Sequence, residues 1–132
     1  KKLVISFVTA SVAFSMFGCA SVGSKETQAF DKAVQMVKDA GIPTRAKTWN
    51  ELLDDSSVLV KACLKVAISD LDDGVSTASD IAKVIVPICP DYFAISEYVL
   101  FKGEKILVDT SQTRYQIALD RVLKERAASR DK

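Results

Sequence analysis

Apolar residues recur at helical spacing in five stretches of this chain, and capping or helix-breaking residues separate the stretches. The predicted helices cover 25–40, 49–69, 76–86, 91–102 and 110–124. No repeat of fixed period and no low-complexity tract interrupts them. The sequence therefore predicts an all-α fold, a small bundle of four or five helices that forms a single domain over 25–132.

Capping signals mark the first two helices. Ser24 precedes the first stretch, and Thr48 with Glu51 three residues later forms a capping box before the second. The acidic segment Asp54–Asp55 either breaks the second helix or lies on its solvated face. The apolar stripe of this helix is predicted to consist of Val58, Leu59, Ala62, Cys63, Val66 and Ala67.

Three segments lie between or after the predicted helices. The sequence DLDDG at 70–74 resembles an EF-hand calcium loop, but its glycine arrives one residue early and Ile81 replaces the glutamate ligand. We therefore favour helix capping there over calcium binding. Residues 106–108 are predicted to form a short extended piece. The polar residues 125–132 are predicted to fray.

The N-terminal segment has the composition of a targeting sequence. Lys1 and Lys2 precede a run, 3–24, without a charged residue. Its apolar part, 3–17, has the length of a signal-peptide core and is short for a membrane span, which needs about 20 residues. The run contains Met16-Phe17-Gly18-Cys19, which resembles the lipobox of bacterial lipoproteins.

This resemblance implies a processing class and a location. Residues 1–18 would be a signal peptide, Cys19 would receive lipid, and 19–24 would form a short tether. In that family, an aspartate directly after the lipidated cysteine prevents sorting to the outer membrane. Ala20 occupies this position, so the resemblance implies a location on the periplasmic face of the bacterial outer membrane. Two alternatives stay open: an ordinary secretory signal cleaved at the same small residues, or an uncleaved N-terminal anchor.

The cysteines suit an oxidising compartment. If Cys19 carries lipid, Cys63 and Cys89 remain as an even pair, which indicates a disulfide. Two buried free thiols are the alternative. In a simple hairpin centred near Asp72, Cys63 would face position 82, about 10 Å of helix away from Cys89. A bridge therefore requires the Pro87–Pro90 segment to double back.

Composition excludes much chemistry. The chain has no histidine, so Ser-His-Asp and Cys-His nucleophilic sites cannot form. Eighteen basic residues balance 17 acidic ones, which gives no basic face for nucleic acid. Paired acids such as Asp72/Asp73 are better explained as solvated helix ends than as glycosidase carboxylates. We expect no enzyme, no metal and no cofactor.

Aromatic residues are the candidate binding groups. Trp49, Tyr92 and Tyr98 are predicted as possible partner-binding residues, although packing roles are favoured for each. Together with Phe93 and Phe101, the two tyrosines form either core or an apolar ligand pocket. We expect a lipid-anchored, non-enzymatic binding or assembly accessory protein whose partners are the membrane and another envelope protein. The alternative is a carrier of a small apolar ligand or lipid, with a cavity between helices.

Overall fold

The computed structural model of the protein describes residues 24–131, which form five α-helices and one short 3-10 turn. The signal peptide predicted over 1–18 and the lipidation site Cys19 lie outside the described residues. The helices are α1 (Lys25–Asp39), α2 (Trp49–Leu71), α3 (Ala78–Ile85), α4 (Pro90–Leu100) and α5 (Ser111–Arg130), and the 3-10 turn is Val86–Ile88. The all-α prediction is confirmed.

Side-chain caps begin the first three helices. Ser24 Oγ accepts a hydrogen bond from the Thr27 amide, and Thr48 Oγ1 accepts one from the Glu51 amide, both at 3.3 Å. Glu51 itself reaches back one residue further than a capping box requires, because its carboxylate accepts from the Lys47 amide. Thr77 caps α3 in the same way.

Helix α2 continues through Asp54–Asp55 without a break. The hydroxyls of Ser56 and Ser57 donate to carbonyl oxygens three residues earlier, so that these polar side chains are satisfied within the helix. Asp55 also accepts a hydrogen bond from the buried Thr44. Asp55 is therefore tied to the segment before α2, whereas Asp54 lies on the solvated face of the helix.

Two apolar clusters form the core, and α4 contributes to both. The larger cluster joins α2, α3, α4 and α5 and consists of Val60, Leu64, Ala67, Ile68, Ile81, Ala82, Ile85, Cys89, Phe93, Ala118 and Val122. The smaller cluster joins α1 to α2 and α4 through Ala33, Val37, Leu52 and Val99. Burial of these side chains supplies the main driving force for assembly of the bundle.

The bundle has two distinguishable ends. At the end where Ser24 lies, called here the Ser24 end, Phe30 meets Trp49 edge to face with ring centroids 5.1 Å apart. The turn after α4 reaches the same end, because a Cβ on Gly103 would lie 2.8 Å from the Cβ of Ala29. Residues 104–110 connect this turn to α5, and the segment 106–108 lies there outside any regular element.

The opposite end, called the Asp72 end, overturns one sequence prediction. Residues 125–130 do not fray, because α5 continues to Arg130. Arg126 donates to both carboxylate oxygens of Asp72, at 2.6 and 2.8 Å, and to the Ser76 carbonyl at 2.7 Å. These bonds fasten the last turns of α5 to the loop between α2 and α3.

Candidate functional site

The disulfide between Cys63 and Cys89 belongs to the larger apolar cluster, in which Cys89 is buried and against which Cys63 packs. Its Cα atoms are 6.1 Å apart, a normal separation for a bridge. The doubling back that the bridge requires is provided by the 3-10 turn after α3, with Pro87 inside it and Pro90 at the first position of α4. The bridge therefore ties the middle of α2 to the start of α4.

An open apolar groove of about 580 Å³ runs beside the bridge. Its floor is one stripe of α2, and its walls come from the end of α1 and from the 3-10 turn with the start of α4. We call it the α2 groove; its main apolar residues are Ile42, Leu59, Ala62, Val66, Ile88 and Tyr92. Val66 is 62% exposed and Ile88 49%, so the groove presents apolar side chains to solvent.

This groove exists because α2 is apolar on more than one face. The predicted stripe is partly wrong: Val58, Ala62 and Val66 are exposed, whereas Val60, Leu64 and Ile68 are buried in the larger cluster. Both sets of residues have helical spacing, and one helix can bury only one of them against α3 and α5. Leu59, Ala62 and Val66, on another side of the helix, form the floor of the α2 groove.

The three aromatic residues predicted to bind a partner do not come together. Trp49 and Tyr98 pack against the smaller cluster and are half-buried. Tyr98 lies under the ammonium of Lys32, 5.3 Å from its ring centroid. Tyr92 alone lines the α2 groove. The other main apolar residues of the groove are aliphatic, and for those on α2 the apolar faces of that helix were the signal in the sequence.

A second cavity of about 320 Å³ lies between α2, α4 and α5. We call it the inner pocket; its apolar walls are Val60, Phe93, Leu100, Phe101, Val108 and Ile117. Thr110 and Thr113 add hydroxyls, and Lys61 adds an ammonium group. The pocket thus combines a largely apolar interior with a few polar groups, as small-molecule sites do.

An ion pair forms one wall of the inner pocket. Arg114 donates to both carboxylate oxygens of Glu97, and its guanidinium lies 5.6 Å from the centroid of the Phe93 ring. Burial raises the pKa of Glu97, but hydrogen bonds from Arg114 and Thr110 outweigh it and hold that pKa below its ordinary value. Glu97 is therefore ionised at neutral pH and serves to fix α5 against α4.

The carboxylates of Asp72 and Asp73 accept hydrogen bonds from the protein itself. Asp72 accepts from Arg126 and from the Gly74 amide, and Asp73 accepts from the amides of Val75 and Ser76. The bonds from Arg126 hold the pKa of Asp72 below its ordinary value, against a smaller effect of burial. Within residues 24–131, no group of three or more potential ligands is placed to hold a metal ion.

Across the described part of the chain, no helix combines the length and apolar character needed to cross a membrane. No protein-family model matches the chain, and the comparisons with curated proteins and with solved structures found no match. What the protein does is therefore inferred from its sequence and its geometry.

Proposed function

We propose that this protein is a lipid-anchored accessory protein of the bacterial envelope that works by binding a partner protein and catalyses no reaction. The observation that carries the proposal is the α2 groove, which presents several neighbouring apolar side chains to solvent. Contiguous exposed apolar surface of this kind is typical of binding sites.

The partner segment that fits best is the apolar face of an amphipathic helix. The groove is open to solvent, and its floor residues Leu59, Ala62 and Val66 follow helical spacing. A helix from a partner would lie along this stripe and place its own apolar side chains between α2 and Ile88, as helix-in-groove complexes do. Asp70, at one end of the groove, favours a basic residue at the matching end of that helix.

The anchor and the absence of catalysis have separate support. The Met16–Cys19 sequence supports lipidation of Cys19 and placement on the periplasmic face of the outer membrane, and the Cys63–Cys89 bridge suits that oxidising compartment. The lack of histidine and the use of Asp72, Asp73 and Glu97 in structural hydrogen bonds favour a binding role over an enzymatic one.

Site-specific photocrosslinking in cells tests this function. A photoreactive amino acid at position 66 is compared with one at position 84, because Val84 on α3 is a similarly exposed valine, 53% against 62%. We expect position 66 to give one crosslinked envelope protein. We expect Tyr92→Ala, which removes a groove wall, to reduce that crosslink.

The matched pair Val66→Glu and Val84→Glu completes the test. Both variants place a charge at an exposed helical position, so both should fold. We expect the partner to co-purify with Val84→Glu and to be lost with Val66→Glu. Equal crosslinking from both positions, or equal co-purification by both variants, would contradict partner binding at the α2 groove.

The inner pocket favours a second candidate function, that of a carrier for a small apolar ligand or lipid. Its volume and its apolar walls suit one short acyl chain or a compact apolar molecule. Native mass spectrometry tests this candidate, because a carrier should retain ligand when purified. Thr113→Trp, at the pocket wall, should expel it, whereas Gln116→Trp, on an exposed part of α5, should not.

A further inference from the structure

We propose that residues 107–108 at the Ser24 end insert into the surface of the bilayer, so that the lipid-anchored protein is held in one orientation and does not swing on its tether. The occupant of this surface is the interfacial region of a phospholipid membrane. The inference deepens the proposed function and rests on its lipid anchor at Cys19.

The connection between α4 and α5 presents unusually exposed apolar side chains. Leu107 is 83% exposed, and its neighbour Val108 is exposed as well. Leu100, at the end of α4, is the third exposed apolar residue of this region. We call these three residues the tip patch. Leu100 and Val108 also border the inner pocket, but more than half of each side chain is exposed. Exposed aliphatic side chains that lie next to one another are typical of a surface that is covered by something else.

The start of the folded body lies beside this connection. The turn at 102–104 packs on the first turns of α1, and together they line one shallow surface with Lys25, Glu26 and Ala29. Gly103 permits this contact, because its φ is +76° and a Cβ there would collide with Ala29. The start of the folded chain and the connection that carries the tip patch therefore lie at the same end of the bundle, the Ser24 end.

The length of the tether brings this end to the membrane. Four residues lie between Cys19 and Ser24, and the five Cα–Cα steps from one to the other span at most about 18 Å when fully extended. A lipid on Cys19 therefore holds the Ser24 end within reach of the bilayer surface. The Asp72 end is kept roughly 24 Å further away by the sixteen residues of α5 between Thr110 and Arg126.

The charges around the tip patch define what kind of membrane contact is possible. Lys102 and Lys105 are balanced by Glu104 and Asp109, so the connection has no net charge. Attraction to anionic headgroups is therefore weak, and burial of Leu107 and Val108 supplies the contact. The two lysines can extend toward the headgroups while their aliphatic stems follow the apolar residues.

A polarity-sensitive dye on the mature lipidated protein in vesicles tests the inference. With Cys63 and Cys89 bonded and Cys19 acylated, Leu107→Cys supplies the one thiol for labelling. Val75→Cys is the matched control, because Val75 is 88% exposed in a loop at the Asp72 end. Flotation of the same samples with the vesicles reports on the anchor independently, and circular dichroism reports on folding.

We expect the dye at position 107 to shift its emission to the blue and to be quenched by nitroxide-labelled lipids. The dye at position 75 should remain water-like. The difference should persist in vesicles of phosphatidylcholine alone, because the contact is apolar.

A protein that floats while position 107 stays water-like would overturn the inference and leave the anchor intact. A blue shift at position 107 that appears only with anionic lipid would show that the membrane contact is not apolar, which would contradict the inference. A protein that does not float with the vesicles would contradict both the lipid anchor and the inference.

Discussion

Arg126 near the end of α5 and Asp72 at the end of α2 form a bidentate ion pair between residues 54 positions apart in the sequence. Their side chains are only 22% and 11% exposed, and the same guanidinium also holds the Ser76 carbonyl. The pair fixes the length of α5 and closes the Asp72 end of the bundle.

Removal of this pair should loosen the end of α5. We expect Arg126→Gln to lower the melting temperature and to speed amide hydrogen exchange over 124–130, because Asp72 loses its partner. Lys124→Gln removes the same charge from an exposed position on the same helix and should change neither measurement. Equal exchange rates in the two variants would show that the pair does not hold the helix.

The lowered pKa values of Asp72 and Glu97 predict loss of stability in acid. Each carboxyl group binds a proton more readily in the unfolded chain than in the folded one, so falling pH favours unfolding. We expect the free energy of unfolding to be constant near neutral pH. It should decrease once the pH drops below the ordinary pKa values of these groups, 4.5 for Glu97 and 3.8 for Asp72. Urea unfolding between pH 7 and pH 3 measures the effect.

The variant Arg126→Gln provides the control for the pH series. It removes the largest cause of the lowered pKa of Asp72, so its loss of stability with falling pH should be shallower than that of the parent protein. Parallel pH profiles in the two proteins would contradict the assignment of this acid sensitivity to Asp72.

The Cys63–Cys89 bridge should contribute substantially to stability. Its sequence separation of 26 residues corresponds to about 3.5 kcal/mol in the chain-entropy treatment of the unfolded state. We expect the double variant Cys63→Ser, Cys89→Ser to unfold at a correspondingly lower urea concentration. Reductant should shift the parent protein toward the double variant and leave the variant itself unchanged. Coincident midpoints of parent and variant without reductant would show that no bridge forms.

Gly103 should tolerate a side chain less well than Gly74 does. Both glycines have positive φ, +76° and +70°, so alanine at either position costs about 1 kcal/mol of backbone strain. A Cβ at Gly74 meets nothing within 4 Å, whereas at Gly103 it collides with Ala29. We expect Gly103→Ala to cost about 1–2 kcal/mol more than Gly74→Ala in chemical unfolding. Equal losses would show that the turn does not pack on α1.

The helices were predictable because their signals are local. Ser24 and Thr48 mark helix starts through hydrogen bonds within one turn, and the apolar period continues from there. The path of Pro87–Pro90 was also predictable, because a bridge to Cys63 has few geometric solutions. These features depend on neighbours in sequence or on one covalent constraint.

The remaining features depend on distant partners. Whether α2 buries Val60 and Leu64 or instead buries Val66 depends on where α3 and α5 pack, and both choices fit the same helical period. The polar end of α5 is predicted to fray as long as its contact with Asp72 is unknown. The α2 groove follows from the first of these arrangements, so its walls could not be derived from α2 alone.

We propose above all that a lipid on Cys19 ties this helical protein to the envelope. Intact-mass spectrometry of the protein extracted from bacterial membranes tests it most directly. We expect a chain that begins at Cys19 and carries the mass of a diacylglyceryl group, with or without a further acyl chain. A chain that retains residues 1–18, or one without acyl groups, would contradict the claim.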